Sequence, residues 1–114
     1  MRQIPNVDVD KKYFLCELMK LLGYSDMYFR QRNFTAFYNA GLACAFLAIQ
    51  IGNFSLANKA YSMFAQMLQA AKVYPLALEL FKKLRTCAHT QHDIIVKTFA
   101  LKQMAFCFAK MEKY

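Results

Sequence analysis

The side chains of this sequence best suited to chemistry lie together between Cys87 and Asp93. The segment holds a thiol, two imidazoles (His89 and His92) and a carboxylate. Such groups bind zinc, and a cysteine beside a histidine base can act as a nucleophile. Zinc sites use paired ligands, however, and the chain has no CxxC or HxxxH motif. Since histidine and aspartate also suit turns and caps, we predict a turn over 88–92 and neither a metal site nor a catalytic site.

The rest of the chain offers no other catalytic set. Its seven acidic residues are scattered, so no carboxylate pair is apparent for acid–base catalysis, and no glycine-rich phosphate loop occurs. The four cysteines, at positions 16, 44, 87 and 107, are far apart and flanked by apolar helix formers. Because the first residues lack the apolar segment of a secretory signal, we expect reduced core thiols in a cytoplasmic protein. The sequence predicts a protein that is not an enzyme and uses no cofactor.

The formal net charge of the chain is +8, which favours acidic partners. The densest basic run, residues 82–85, reads Lys-Lys-Leu-Arg, and basic residues at a helix end offset the helix dipole. The remaining charge is dispersed, so we expect an acidic protein partner rather than nucleic acid, for which a basic composition alone is weak support. Nucleic-acid binding stays as an alternative, and it would use Arg30, Arg32, Lys59, Lys82, Lys83 and Arg85.

A stretch without any charged residue runs from Asn33 to Asn58 and raises the alternative of a membrane-associated subunit. A transmembrane helix needs about 20 consecutive apolar residues. The apolar core here covers only residues 40–49, because Asn39 and Gln50 bound it. We therefore expect a central helix of a helical array rather than a membrane span.

The composition is that of an all-α protein. Apolar residues make up 58% of the chain, which contains three glycines and two prolines, and this disfavours an all-β architecture with many tight turns. Apolar residues three or four positions apart predict five helices, separated by short connections that favour antiparallel packing. The predicted helices cover residues 11–31, 36–51, 55–71, 75–87 and 93–111.

Local signals support these boundaries. Pro75 suits the first turn of a helix, where its missing N–H costs nothing. The pair Gly52-Asn53 is the clearest helix stop, and Gly23 is a weak point inside the first helix. The predicted N-caps are Asp10, Thr35, Ser55 and Asp93.

Three aromatic residues, Phe34, Tyr74 and Tyr114, recur at intervals of forty positions. A fixed interval in this range is typical of stacked helical hairpins. A competing register places an equivalent turn at 52–54, but it leaves Tyr74 unexplained, and we prefer the forty-residue interval. Small residues repeat in the same register, at Ser25, Ala65 and Ala105.

The second forty-residue unit carries a pattern of large, small and aromatic residues: Tyr61, Phe64-Ala65, Leu68, Lys72-Val73-Tyr74, Ala77, Phe81 and Leu84. This pattern resembles the tetratricopeptide repeat family, although the family's usual period is about 34 residues and its terminal proline is absent here. The resemblance covers about residues 15–114. It implies an α-solenoid of antiparallel helical hairpins over 10–114, preceded by an extended lead-in over 1–9. The implied units are 15–54, 55–92 and an incomplete 93–114.

The incomplete third unit has a consequence for binding. Its second helix is missing, so the resemblance implies an open C-terminal end where a partner or a continuation would pack. The apolar residues at this end are Met104, Phe106, Phe108 and Met111.

The resemblance also implies a concave peptide groove, lined by the first helix of each unit. The residues carried over to this groove as partner-binding are Phe29, Arg30, Lys59, Gln66, Gln69, Phe99, Lys102, Phe106 and Lys110. The same stripe includes Met19, Leu22, Asp26 and Ser62. Its lysines suit an acidic ligand. Some family members clamp a C-terminal carboxylate, but the matching positions here, Leu22, Asp26, Met63, Phe99 and Gln103, lack the required residues.

Together these features predict a non-catalytic scaffold, either an adaptor or a structural subunit of a multi-protein assembly. We expect it to bind protein partners through the concave face and the apolar C-terminal end. We expect a cytoplasmic location, in a cytoskeletal or ciliary complex, because long repeat arrays of this family are often found there.

Overall fold

The computed structural model describes the backbone of residues 7–112 and the side chains of residues 17–112. Within these residues the chain forms five helices and no strand, which confirms the predicted all-α class. Each helix packs against the next one in sequence, so that neighbours form antiparallel hairpins. The helices are α1 (Val7–Arg30), α2 (Phe34–Gln50), α3 (Phe54–Ala70), α4 (Tyr74–Thr90) and α5 (Ile94–Met111).

Turns of one kind join these helices. In each turn, one residue has a positive φ: Arg32 (59°), Gly52 (73°), Lys72 (65°) and His92 (57°). After α2, the Gly52 N–H donates to the Ile49 carbonyl and the Asn53 N–H to the Ala48 carbonyl, both at 2.9 Å. Equivalent pairs of hydrogen bonds close the other three turns. This Schellman arrangement satisfies carbonyls that a helix end otherwise leaves unpaired.

The turns recur every twenty residues, because α2, α3, α4 and α5 begin at positions 34, 54, 74 and 94. The forty-residue interval therefore contains two equivalent units, each made of one helix and one turn. The competing register, with a turn at 52–54, coexists with the forty-residue register instead of excluding it. Tyr114, the third aromatic residue of the interval, lies outside the described residues.

The helix boundaries differ from the prediction at several caps. Asn33 and Asn53 are the N-caps of α2 and α3, and their side-chain oxygens accept from the N–H groups of Ala36 (3.2 Å) and Leu56 (3.0 Å). Thr35 and Ser55, predicted for this role, lie inside the helices, because the helices begin one residue after each asparagine.

The outer boundaries need three further corrections. The first helix begins at Val7, so Asp10 lies within α1 and is not its cap; residues 1–6 of the predicted lead-in lie outside the described residues. Gly23 does not interrupt α1. The fourth helix continues to Thr90, so residues 88–90 are helical and the turn starts at Gln91. Asp93 caps α5 as predicted, accepting from the Val96 N–H at 3.1 Å.

The middle helices α2, α3 and α4 each present one stripe of side chains, the forward stripe, to the following helix and another, the backward stripe, to the preceding one. The forward stripe of α2 is Gly41, Ala45 and Ala48, and the backward stripe of α3 is Ala60, Phe64 and Met67; members of a stripe are three or four positions apart and share a helix face. These residues are buried, except for half-buried Met67. The stripes meet where the Phe64 ring covers Gly41.

The contact between Gly41 and Phe64 requires a glycine. A Cβ added to Gly41 would lie 2.8 Å from Cγ and Cδ2 of Phe64, closer than van der Waals contact allows. The same ring packs against the Phe37 ring at a tilt of 32° with centroids 4.6 Å apart, and the centroids of Phe37 and Phe29, on α1, are 5.0 Å apart. The close approach of α2 to α3 therefore supports an aromatic cluster that joins the first three helices.

We expect Gly41→Ala to lower the free energy of unfolding by about 1–3 kcal/mol, because overpacking outweighs the better helix propensity of alanine. Gly23→Ala is the matched control. A Cβ at Gly23 meets no heavy atom within 4 Å, so this change should raise stability by about 0.5–1 kcal/mol. Urea denaturation followed by circular dichroism measures both; equal effects of the two substitutions would contradict the packing argument.

The left-handed residues yield a second stability prediction. Lys72→Gly should stabilise the protein by about 1 kcal/mol, since a non-glycine residue is strained at this φ. Lys83→Gly, the same exchange at an exposed position inside α4, should destabilise by about 1 kcal/mol. Thermal melts of the two variants should therefore shift in opposite directions. A shift in the same direction would show that strain at Lys72 is unimportant.

Candidate functional site

The odd-numbered helices α1, α3 and α5 line a concave groove that encloses about 1200 Å³. We call it the odd-helix groove. It exceeds the roughly 300–1000 Å³ of typical small-molecule pockets. Its walls are formed by Leu18 and Leu22 of α1, the face of α3 from Phe54 to Ala70, and the start of α5.

The structure brings some of the predicted partner-binding residues into this groove. Lys59, Gln66 and Phe99 line it, together with Leu22 and Ser62 of the same predicted stripe. A smaller depression of about 460 Å³ adjoins them and shares Gln66 and Phe99. Gln69 and Phe106 of the prediction line that second depression.

The other predicted residues line neither surface. Phe29 is half-buried and packs its ring against Phe34 and Phe37 at centroid distances of 5.6 and 5.0 Å. Arg30 pairs with Asp26 at 3.0 Å in an exposed ion pair. Lys110 lies 5.3 Å over the Phe106 ring, and Lys102 is exposed on α5. The stripe therefore continues along α1 and α5 beyond the groove, and Phe29 belongs to the core.

Apolar residues that the prediction did not select dominate the groove. Ile95, at the start of α5, is 81% exposed, and Met63 at the centre of α3 is also exposed. Val96 and Met67 extend this apolar lining. One sequence signal pointed to Ile95. The run Ile94-Ile95-Val96 directly follows the Asp93 cap, and three successive side chains of a helix cannot all lie on its buried face.

The groove also contains a buried amide. Asn58 is buried in the wall contributed by α3, and its Oδ1 has no hydrogen-bond partner among the described residues. A buried carbonyl oxygen left unpaired costs about 1–3 kcal/mol. Nearby, the Ser62 hydroxyl accepts from Gln66 Nε2 at 2.8 Å and keeps its own proton available for donation. The groove thus combines an apolar surface with a few polar groups that could orient a ligand.

One side-chain bridge fixes the two helices that form most of the groove. Gln69 Nε2 donates to Gln103 Oε1 at 3.0 Å and lies 3.9 Å from the Cys107 sulfur. Because Gln69 is on α3 and Gln103 on α5, the bond links two helices that are not neighbours in sequence. This bond engages the Gln69 amide in a contact between α3 and α5, beside the second depression.

The cluster between Cys87 and Asp93 is divided between helix and turn. Cys87 and His89 lie in the last turn of α4, His92 has a positive φ in the turn, and Asp93 caps α5. The Lys97 Nζ lies 3.0 Å from Nδ1 of His89. Over residues 17–112, no three His, Cys, Asp or Glu side chains are grouped closely enough to hold a metal ion. Burial raises the pKa of the Cys87 thiol, opposite to the shift that activates a cysteine nucleophile.

The basic residues of the nucleic-acid alternative lie on three helices and one turn. Lys59 faces the odd-helix groove, whereas Lys82 and Lys83 line a depression bordered by Ile49 and Thr90. Two of the cations are paired: Arg30 with Asp26 at 3.0 Å, and Lys82 with Glu79 at 3.3 Å. The Arg32 guanidinium lies 5.1 Å over the Phe34 ring.

The uncharged stretch from residue 33 to residue 58 forms α2, a tight turn and the start of α3. Among the helices that the structure describes, none is long and apolar enough to cross a membrane.

No protein-family model, curated protein or solved structure matches the chain.

We expect alkylation of the folded protein at mildly alkaline pH to modify Cys87 well before Cys44 and Cys107. Cys44 and Cys107 are fully buried, whereas Cys87 is half-buried. Burial raises the pKa of Cys44 to about 11, so this thiol also lacks the reactive thiolate form. Peptide mass mapping after timed iodoacetamide treatment checks the order, and urea-unfolded protein is the control. Equal reaction rates of Cys44 and Cys87 in the folded protein would show that the core is open.

Proposed function

We propose that the protein is a non-catalytic interaction module, an adaptor or structural subunit, that binds a segment of a partner protein in the odd-helix groove. The observation that supports this most is the combination of large volume and uncovered apolar side chains at Ile95 and Met63. Exposed apolar surface costs about 25 cal/mol per Å² relative to burial. A partner that covers these side chains recovers that free energy.

A polypeptide segment fits the groove better than a small ligand. The volume exceeds the usual range for small-molecule sites, and the lining alternates between apolar patches and single polar groups such as Lys59 and Ser62. Apolar side chains of a segment would contact Ile95 and Met63, and its polar groups would reach Lys59 and Ser62. This distribution is typical of grooves that recognise apolar anchor residues.

The charge of the chain supports an acidic partner. The net charge is +8, and Lys59, Lys102 and Lys110 lie on the odd-numbered helices. Carboxylates flanking the apolar anchors of the partner would pair with these lysines. The main effects of these ion pairs would be faster association and higher specificity, and both effects would weaken as the salt concentration is raised.

The uncovered side of α5 is the second proposed partner surface, at the C-terminal end. We also propose kinship with long-period tetratricopeptide arrays, which rests on the residue pattern and the hairpin architecture. A cytoplasmic setting, in a cytoskeletal or ciliary complex, rests on that resemblance alone.

Site-specific photocrosslinking tests the groove. A benzophenone amino acid in place of Met63 should crosslink a partner protein from cell lysate, whereas the same group in place of Phe46 should not. Phe46 is a matched control, because it is exposed on α2 and outside the groove. Mass spectrometry of the adducts identifies the partner. The same adducts from both positions, or none from Met63, would argue against groove binding.

A charge substitution in the groove complements this experiment. The affinity-tagged protein should capture the partner that was crosslinked from position 63. Ile95→Glu should abolish this capture, and Phe46→Glu should leave it unchanged. Nuclease treatment distinguishes protein binding from the alternative function, nucleic-acid binding. Capture that is lost on nuclease treatment and falls steeply with salt would indicate nucleic-acid binding.

A further inference from the structure

The forward stripe of α5 is uncovered, unlike the forward stripes of the other four helices. On α1 to α4, every residue in this register is buried or half-buried, as Tyr61, Ala65 and Leu68 of α3 illustrate. On α5 the corresponding residues are Leu101, Ala105 and Phe108. Leu101 is 44% exposed, Phe108 is 42% exposed, and Ala105 is exposed as well. This side of α5 therefore has the features of a surface that receives another helix.

In the part of the chain that the structure describes, no helix covers the backward stripe of α1 either. On α2 to α5, every residue of this register is buried or half-buried, including Phe64 and Met67 of α3. The matching α1 residues are Lys20, which pairs with Glu17 at 3.2 Å, and the apolar Tyr24 and Met27. Tyr24 is 54% exposed and Met27 is 42% exposed. The chain thus carries both halves of an interface that it already forms between its own successive helices.

The two uncovered stripes suit each other in size. The contact of Gly41 with Phe64 shows one pair of residues, small against large, that meets across such an interface. Applied to α3 and α4, the register in which Gly41 meets Phe64 places Tyr61 opposite Leu84. Between α5 and a second copy of α1, this register would place Leu101 opposite Tyr24. The two residue types are then the same, with leucine on the forward stripe and tyrosine on the backward stripe. Exchanges that conserve volume are tolerated in packed interfaces.

Charge favours α1, rather than a second α5, as the partner helix. Residues 94–111 contain three lysines and no acidic residue, so a contact between two copies of α5 would bring together two helices of net positive charge. Residues 7–30 contain four acidic and four basic residues, so a pairing of α5 with α1 avoids that like-charge repulsion.

We propose that copies of this chain associate head to tail, with the forward stripe of α5 in one copy packed on the backward stripe of α1 in the next. The inference deepens the proposed function, because it names the partner of the α5 surface. Such a heterologous contact leaves one free stripe at each end of a dimer, so it extends into open chains unless the rotation closes a ring.

Sedimentation velocity and light scattering on the full chain test this arrangement. The mass of the wild-type protein should rise with concentration beyond that of a dimer. Phe108→Glu places a charge in the forward stripe of α5, and Tyr24→Glu places one in the backward stripe of α1. Each variant alone should be monomeric. A mixture of the two variants should form a one-to-one dimer that does not grow, because each supplies the stripe that the other lacks.

The controls separate assembly from folding. Both substitutions are at exposed positions, and circular dichroism should show unchanged helix content. Leu101→Glu should behave as Phe108→Glu does, and Met27→Glu as Tyr24→Glu does, whereas Phe46→Glu should assemble like the wild type.

Three results would overturn the proposal. They are a wild-type protein that stays monomeric as its concentration is raised, a mixture of variants that forms no dimer, and a dimer that Phe108→Glu abolishes but Tyr24→Glu leaves intact. The last result would indicate a symmetric α5 contact. Crosslinking from Met63 reports on the groove whichever result is found, so failure of head-to-tail assembly and failure of groove binding are distinguishable.

Discussion

The packing of this protein depends on the left-handed turn that ends each of the first four helices. One residue with a positive φ and two backbone hydrogen bonds reverse the chain within three residues, at Arg32, Gly52, Lys72 and His92. Because the turns are equivalent and twenty residues apart, each helix meets the next in the same register. The forward and backward stripes follow from this register, and so does the antiparallel arrangement of the helices.

The alternating direction of successive helices also accounts for the odd-helix groove. Successive hairpins place α1, α3 and α5 on one side, where they bound a common concavity. The Gln69–Gln103 hydrogen bond connects two of these helices directly, while small residues such as Gly41 let the intervening helices approach closely. Tight packing between neighbours therefore coexists with an uncovered apolar surface at Met63 and Ile95, where no helix of the described chain lies opposite.

Much of the fold could be predicted from local sequence patterns. Apolar spacing predicted the five helices, and Gly52 and Asp93 marked a helix end and a cap that the structure confirms. The left-handed conformations of Arg32, Lys72 and His92 could not be predicted, since these residues are common in ordinary helices. Thr35 and Ser55 are good caps, but Asn33 and Asn53 precede them and bond to the free N–H groups first.

The sequence by itself determined the helices and the positions of small residues, because these depend on neighbours a few positions away, whereas the structure showed that equivalent turns recur every twenty residues and not every forty. Only the tertiary structure decided which apolar side chains are covered. Phe29 entered the aromatic cluster although the pattern placed it in the groove, and Ile95 entered the groove although nothing in the prediction selected it. Exposure depends on helices that are distant in sequence, and for the same physical reason the outer stripes of α1 and α5, which meet no other helix in the described part of the chain, are exposed.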